Sequence, residues 1–371
     1  MISDIGNKCL LLNSSISTTL VNEINYKYYF LYFFMQAIIL AGGYGTRLAP
    51  LTYTTPKPLL PLLNKPLIDY IISSLPKDSE IIIASNYKNY KIKKYLEERG
   101  INAILNKENK PLGTGGAVKN AEKFIDGTFL VINSDIISSL NMRKFISYHE
   151  KNKSFVTISL WKVENVEDFG VVEFAPDGKI KKFVEKPASH EAPSQLINAG
   201  VYCMEYGVLD YIEENKFVSM EGEIFPRIIE EGRAFYGYIF DGYWMDVGKM
   251  ESYLEATKFL LVKKGLTYLH GDNCNIEGLI KYSTIGNNCS IGKNSFVNRS
   301  IIYDNCRIGK DVEIENSIIA KNCIIEDGVK LRNVVVGEKE KIGESMENKK
   351  VWSRSIPKGY PKKQVGNPCR K

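Results

Sequence analysis

The sequence predicts an α/β fold, a mixed but mainly parallel sheet flanked by helices, followed by a solenoid of short strands. Three observations predict it. Short β-branched runs, 36–40, 80–84 and 129–133, alternate with helix-length segments, the pattern of a parallel sheet with helical crossovers. A glycine cluster follows the first run directly, where open α/β sheets bind ligands. Beyond residue 270, Asn-Cys-x-Ile recurs at 273–276, 288–291, 305–308 and 322–325, a periodicity that belongs to stacked coils.

The first strand feeds into Leu40-Ala-Gly-Gly-Tyr-Gly-Thr-Arg-Leu-Ala-Pro-Leu-Thr52, with Thr55-Pro-Lys-Pro-Leu59 behind it. Gly42, Gly43 and Gly45 allow positive φ and let backbone N–H groups approach an anion without an intervening Cβ. Arg47 adds a fork of donors matched to phosphate oxygens, and Lys57, held between two prolines, adds a second cation. The stretch is neither GxGxxG nor an ATPase P-loop ending in GK[ST]. It reads as a site for a nucleoside triphosphate.

Downstream, 67–75 reads as a helix, 80–84 as a strand, and 90–99 as an amphipathic helix stopped by Gly100. A short strand at 101–105, a polar loop at 106–113 and a helix at 114–124 lead to the buried strand 129–133. Asp135 follows that strand, at the same sheet edge as the glycine loop. Strands at 155–162, 170–174 and 179–184, with a turn at Pro176-Asp-Gly178, predict an antiparallel insertion lying over the sheet and walling a second substrate's pocket. Asn198-Ala-Gly-Val-Tyr202 returns as a strand, and Tyr243-Trp-Met-Asp-Val-Gly248 with a helix at 251–262 closes the domain.

In the repeats the cysteines are 15, 17 and 17 residues apart, and apolar residues recur every six: Ile285, Ile291, Val297; Ile302, Ile308, Ile314; Ile325, Leu331. One inward residue per six, three sixes per turn, is the period of a triangular solenoid. It resembles the hexapeptide-repeat, left-handed β-helix. Cys274, Cys289, Cys306 and Cys323 then stack as small apolar residues rather than ligands. With seven cysteines and no CxxC pair, neither zinc nor a redox pair is signalled. His149, His190 and His270 fall outside the repeats, so an acyltransferase base is not expected there.

At 371 residues, 44% hydrophobic and 25% charged, the chain suits a globular protein of two or three domains. Its net charge of +6 belongs to the eight Lys and Arg of residues 348–371, which include no acid. That tail reads as a solvated extension, with phosphate or membrane-surface binding the alternative, and the remaining chain gives no signal for nucleic acid. The run 28–34 is too short to span a bilayer. Residues 1–34 are expected to be a poorly ordered extension or to lie upstream of a functional start at Met35, a membrane anchor being the lesser alternative. Free cysteines and a nucleotide substrate predict a cytoplasmic location. The expected domains are 1–34 extension, 35–262 catalytic, 263–343 β-helix and 344–371 tail.

With these motifs in order, residues 35–262 resemble the sugar-phosphate nucleotidyltransferases (NDP-sugar pyrophosphorylases), and the appended solenoid is similar to that of mannose-1-phosphate guanylyltransferases. The resemblance implies a Rossmann-like fold and an in-line displacement, in which a sugar 1-phosphate attacks the α-phosphate of a triphosphate and pyrophosphate leaves. It implies catalytic roles for Arg47, Lys57 and Asp135, and magnesium held by Asp135 and Asp246. The nucleotide would lie along Leu40, Ala41, Gly42, Gly43, Gly45 and Thr46, its base read by Pro111, Leu112, Gly113 and Thr114 and by Glu108. Gly170, Glu185, Lys186 and Asn198 would hold the sugar phosphate.

Relatives that use uridine or thymidine nucleotides carry Gln where this chain has Glu108. A carboxylate only accepts; guanine offers N1–H and N2–H₂ side by side, whereas a pyrimidine imide flanks its one N–H with repelling carbonyls. The expectation is therefore a guanine nucleotide, GTP; the resemblance implies mannose 1-phosphate as its partner, giving GDP-mannose, and homo-oligomerisation through the β-helix is expected. The rivals are glucose or N-acetylglucosamine 1-phosphate with UTP or dTTP, and a non-catalytic subunit that senses nucleotide sugar.

Overall fold

A computed structural model describes residues 35–361; the expectations for 1–34 and for the last ten residues lie outside the described part. The chain runs β1 (Gln36–Leu40), α1 (Leu67–Ser74), β2 (Glu80–Ser85), α2 (Asn89–Glu98), β3 (Ala103–Lys107), α3 (Gly113–Asn120), β4 (Phe129–Asn133), β5 (Ile136–Ser138) and α4 (Met142–Lys151). It continues through β6 (Val156–Lys162), β7 (Gly170–Phe174), β8 (Ile180–Glu185), β9 (Leu196–Met204), α5 (Phe225–Glu230), β10 (Phe235–Ile239), β11 (Trp244–Asp246) and α6 (Met250–Lys263).

Nine strands form one sheet in the order β8-β7-β9-β4-β1-β2-β3, with β6 pairing β9 and β10 pairing β6. Strands β4, β1, β2 and β3 are parallel, whereas β9 runs antiparallel to β4. Ile38, Ile82 and Val131 bury one face with α3 and α5, while Ala37, Ile39, Ile83 and Leu130 bury the other with α1, α2 and α4. Burial on both faces explains why these strands read as continuous apolar runs rather than alternating ones.

The expected insertion over the sheet is corrected here. Strands β7 and β8 form a hairpin hydrogen-bonded into the same sheet through Ile197 of β9 opposite Val171. The reason is their burial pattern: Val171, Val172, Ile180 and Phe183 all point into sheet-facing cores, leaving no apolar face to lay on top.

From Tyr268 the chain coils into three parallel sheets of six, five and five strands. Ile285, Ile302 and Ile319 stack in one column and Ile291, Ile308 and Ile325 in another. Buried Cys289, Cys306 and Cys323 stack too, each thiol donating to a carbonyl of the next coil, as Cys306 Sγ does to Ala320 O at 3.1 Å. They are free thiols, and among the described residues no cluster of three or more His, Cys, Asp or Glu is arranged to hold a metal. His270 lies within the first coil after all, in the strand Tyr268–His270, exposed and bonded to the carbonyl of Gly271.

The tail is a second correction. Strands continue to Lys350–Val351, and beyond them Tyr360 is buried among Tyr44, Tyr53 and Tyr87, so the described part of the tail, 348–361, is anchored on the catalytic domain although most of its residues stay exposed. Aromatic area removed from water outweighs the solvation of the scattered charges around it. The solenoid itself packs on α6, with Tyr253, Leu260 and Leu261 sharing a core with Ile301, Ile318 and Val335. No helix among the described residues is long and apolar enough to cross a membrane.

Candidate active site

Strand β1 ends at Leu40, and the glycine loop turns there into a 3₁₀ segment, Thr46–Leu48. Gly45 takes φ +64°, and a Cβ on it would stand 2.8 Å from Thr52 Cγ2, so only glycine fits. The loop forms one wall of a cleft of about 450 Å³, whose other walls include Glu108, 111–114, Lys57 and Asp135.

Lys57 is buried on its own short 3₁₀ turn, its Nζ against Oδ2 of Asp135. Burial alone would raise the Asp135 carboxyl; the ammonium of Lys57, with Arg47 behind it, outweighs that and holds the group below the usual carboxylate range. Asp246 comes from β11, which pairs with β5 so that Asp246 faces Ile136, the residue after Asp135. Burial, and then the charge of Asp135, push Asp246 up to about 6 despite Lys57, Arg47 and Lys249. Its Oδ1 is buried without a hydrogen-bond partner, and its Oδ2 lies 4.0 Å from Arg47 Nη2. Gly248 makes this approach possible, since a Cβ there would stand 2.6 Å from both Arg47 Nη2 and Asp246 Oδ1. Two adjoining carboxylates, one with an unmet oxygen, are the hard-oxygen donors that magnesium takes alongside substrate phosphates.

At the far end of the cleft Glu108 is 4% exposed. Its Oε2 accepts the Leu112 N–H at 3.3 Å, while Oε1 is buried without a partner. Burial raises its carboxyl, and the Leu112 N–H opposes that only in part. Gly113 takes φ +74°, and a Cβ on it would stand 2.4 Å from the Val218 carbonyl. That carbonyl accepts the N–H groups of Gly115 and Gly116 at 2.9 and 3.3 Å, fixing the start of α3.

Of the residues singled out from the sequence, the cleft gathers Leu40, Gly42, Gly43, Gly45, Thr46, Arg47, Lys57, Glu108, Pro111–Thr114 and Asp135. Ala41 is buried behind the loop, its N–H on the Ala84 carbonyl. Asp246 lines a second hollow of about 540 Å³ that meets the cleft at Arg47 and is walled by Trp161, Phe169 and Trp244. Gly170, Glu185, Lys186 and Asn198 line neither. Gly170 packs under Phe183 and Glu185, and Lys186 is exposed and paired with Glu185 at 2.8 Å. Asn198 Nδ2 donates to Tyr202 Oη at 2.8 Å, and Tyr202 donates in turn to Glu221 at 3.1 Å.

Glu221 was not visible from the sequence, yet it also accepts from Thr114 Oγ1 at 2.6 Å. It joins the loop at 111–114 to β9, and nothing in Met-Glu-Gly-Glu distinguishes it from Glu223 before folding. Phe217, 68% exposed at the mouth of the cleft, and Lys249, paired with Asp168 at 2.5 Å beside Arg47, were missed as well. An aromatic between Lys and Val, or a Lys after Gly248, carries no motif of its own.

A parallel sheet that ends in a glycine loop, facing two carboxylates, a buried Lys57 and a half-exposed Arg47, defines an α/β enzyme that works on phosphate groups. The nucleotidyl transferase family matches residues 36–263, and the EIF2B subunit epsilon LbH domain matches 267–348. Mannose-1-phosphate guanyltransferase of Aspergillus oryzae is 36% identical over 277 residues, 69% of this chain and 74% of that protein. That of Candida albicans is 36% identical over 267 residues, 67% of this chain and 73% of that protein. Among solved structures, HddC from Yersinia pseudotuberculosis complexed with GMP-PN is similar at a TM-score of 0.52 and 29% identity, over 61% of this chain and 99% of that one. A putative glucose-1-phosphate thymidylyltransferase from Bacillus anthracis is similar at 0.54 and 28%, over 60% and 93%. The chain belongs to the nucleotidyl transferase family, with a left-handed β-helix appended, and it catalyses nucleotidyl transfer.

Proposed function

We propose that the cleft transfers the guanylyl group of GTP to mannose 1-phosphate, giving GDP-mannose and pyrophosphate. The single observation that carries the base is Glu108, a buried acceptor with one oxygen unmet at the end of the cleft. Guanine's N1–H and N2–H₂ supply two adjacent donors to such a group, and an unfilled buried acceptor costs about 1–3 kcal/mol. The relatives named as mannose-1-phosphate guanyltransferases support both substrates, and the HddC complex with GMP-PN supports a guanine nucleotide.

In this reading the N–H groups of Gly42–Gly45 line the triphosphate, and Arg47 and Lys57 neutralise charge growing around the α-phosphate. Lys57 is fixed on Asp135 and needs no reorganisation to do so. Asp135 and Asp246 fit magnesium, which would supply charge neutralisation between the two substrates' phosphates. Lys186 and Glu185 line neither hollow and are paired with each other; opening that pair and moving toward the cleft would let Lys186 meet the sugar's phosphate and Glu185 its hydroxyls. The β-helix, packed on α6, would carry self-association by a surface away from that contact.

The test is pyrophosphate release by the full chain with magnesium, over a grid of GTP, UTP and dTTP against mannose, glucose and N-acetylglucosamine 1-phosphates. Highest kcat/KM for GTP with mannose 1-phosphate is expected. A preference for UTP or dTTP would overturn the role of Glu108, and nucleotide binding without turnover would favour a sensing subunit.

A further inference from the structure

We propose that Tyr360, far outside the catalytic domain in sequence, is a positioning residue for the glycine loop, turning the loop's peptide N–H groups toward the phosphate side of the cleft. The inference rests on the reading that this loop holds the nucleotide's phosphates.

Three glycines in four residues give the stretch 42–45 more conformations than any phosphate site can use. Something outside the loop must choose among them, and the C-terminal segment is placed to do so. Tyr360 is 4% exposed, with its ring 4.8 Å from Tyr53, 5.7 Å from Tyr87 and 5.8 Å from Tyr44, each in an edge-on arrangement. Trp352 closes the same cluster against Tyr53 at 5.3 Å.

The hydroxyls give the cluster its direction. Thr52 Oγ1 donates to the Gly45 carbonyl at 3.0 Å, which commits its one proton. The 2.8 Å contact between Thr52 Oγ1 and Tyr360 Oη therefore has tyrosine as donor, with the Tyr44 carbonyl a longer acceptor at 3.4 Å. Burial pushes the Tyr360 phenol up to about 12, so it keeps this proton at any working pH. Lys350, at the end of the solenoid, donates to the Arg47 carbonyl at 2.9 Å, and the Ala49 N–H takes the Thr46 carbonyl at 3.1 Å. The carbonyls of residues 44 to 47 are thus all contacted from within the protein: Gly45 O also accepts the Leu48 N–H at 3.0 Å, while the one Tyr360 proton is shared between Thr52 Oγ1 and, at longer range, the Tyr44 carbonyl.

A trans peptide points its N–H opposite its C=O. The Tyr360 hydroxyl, 3.4 Å from the Tyr44 carbonyl, draws that carbonyl toward the C-terminal segment and so turns the Gly45 N–H the other way, toward the face on which Gly45 lines the cleft. Without Tyr360 the Tyr44–Gly45 peptide has less to choose its orientation, because glycine tolerates either one.

The experiment compares wild type with Tyr360→Phe, which keeps the ring and removes only the hydroxyl, and with Thr52→Val and Thr52→Ser. Two readouts are taken: amide hydrogen exchange over residues 41–48, and KM for GTP against KM for mannose 1-phosphate. Tyr360→Phe is expected to speed exchange in the loop and to raise KM for GTP about three- to tenfold, the worth of one neutral hydrogen bond, with KM for mannose 1-phosphate unchanged. Thr52→Val should do the same, the double variant should be no worse than either alone, and Thr52→Ser should restore both readouts. Unchanged loop exchange in Tyr360→Phe overturns the proposal whatever the substrate proves to be. An equal rise in both KM values, tracking a fall in Tm, assigns the residue to general stability and overturns it too. A wild type that shows no affinity for GTP defeats the proposed function alone, and the exchange measurement still decides for or against Tyr360.

Discussion

The N–H of Val247 donates to the carbonyl of Asp135 at 2.9 Å, and this bond holds the carboxylate of residue 246 beside that of residue 135. The two acids are not equivalent. One is compensated by Lys57, while the other is raised to about 6 and keeps an oxygen unmet. The site stores an electrostatic cost that a cation would relieve.

Asp246→Asn should therefore abolish turnover yet stabilise the metal-free fold. In the folded protein with chelator present, Asp246 binds its proton up to about pH 6, whereas in the unfolded chain it releases it near the ordinary aspartate value of about 3.9. Stability contributed here is fullest below the unfolded value and falls as pH rises through 6. Thermal unfolding with chelator should show Asn at 246 more stable by about 1–3 kcal/mol at pH 7.5, with the gain gone near pH 4. A destabilised variant at pH 7.5 would contradict the raised carboxyl.

Lys57→Met has the opposite sign. It removes the ammonium that outweighs burial at Asp135 and leaves that carboxylate beside Asp246 with Arg47 alone. Breaking such a pair from one side typically costs about 3 kcal/mol or more. Unfolding in urea at pH 7.5 should register that loss, together with at least a hundredfold fall in kcat/KM. Because the unpaired acid is relieved by protonation, the stability deficit should shrink as pH falls below 5. A deficit independent of pH would point to lost packing of the Lys57 stem instead.

Glu108→Gln tests the base pocket. The amide keeps the shape and one acceptor but adds two donors. The expected result is a fall of about ten- to a hundredfold in the preference for GTP over UTP, read as a ratio of kcat/KM values. Gly42→Ala should give a similar loss by a different route, since its Cβ would stand 2.7 Å from Glu108 Oε1 and the carboxylate has little room to retreat. An unchanged preference in both variants would remove Glu108 from base reading.

Much of this was legible in the sequence because it rests on local rules. Glycines after a β-branched strand, an Asp at a strand end, and a six-residue apolar period each announce themselves within a dozen residues. What was not legible depends on long-range placement. Val171 and Phe183 carry no sign of whether their hairpin joins a sheet or covers it. Glu221 gains its meaning only when Thr114 and Tyr202 arrive from elsewhere. The charge-rich tail was misread for the same reason, since one Tyr among Lys and Pro is decided by three tyrosines hundreds of residues earlier.

The cysteine column offers a last test, of the solenoid itself. Cys306 is fully buried, and its thiol fills the corner of a coil while donating to Ala320 O at 3.1 Å. If the column is packing and nothing more, Cys306→Ser keeps the donor and Cys306→Ala loses little volume, and each should cost about 1 kcal/mol or less. Ile314→Ala, in the same coil but in the buried column of Val297 and Leu331, removes three carbons from the interior and should cost about 2–4 kcal/mol. Urea unfolding of the full chain reads both, with and without reductant and chelator. A larger loss at Cys306 than at Ile314, or a transition moved by chelator alone, would mean the thiols hold something that packing does not require.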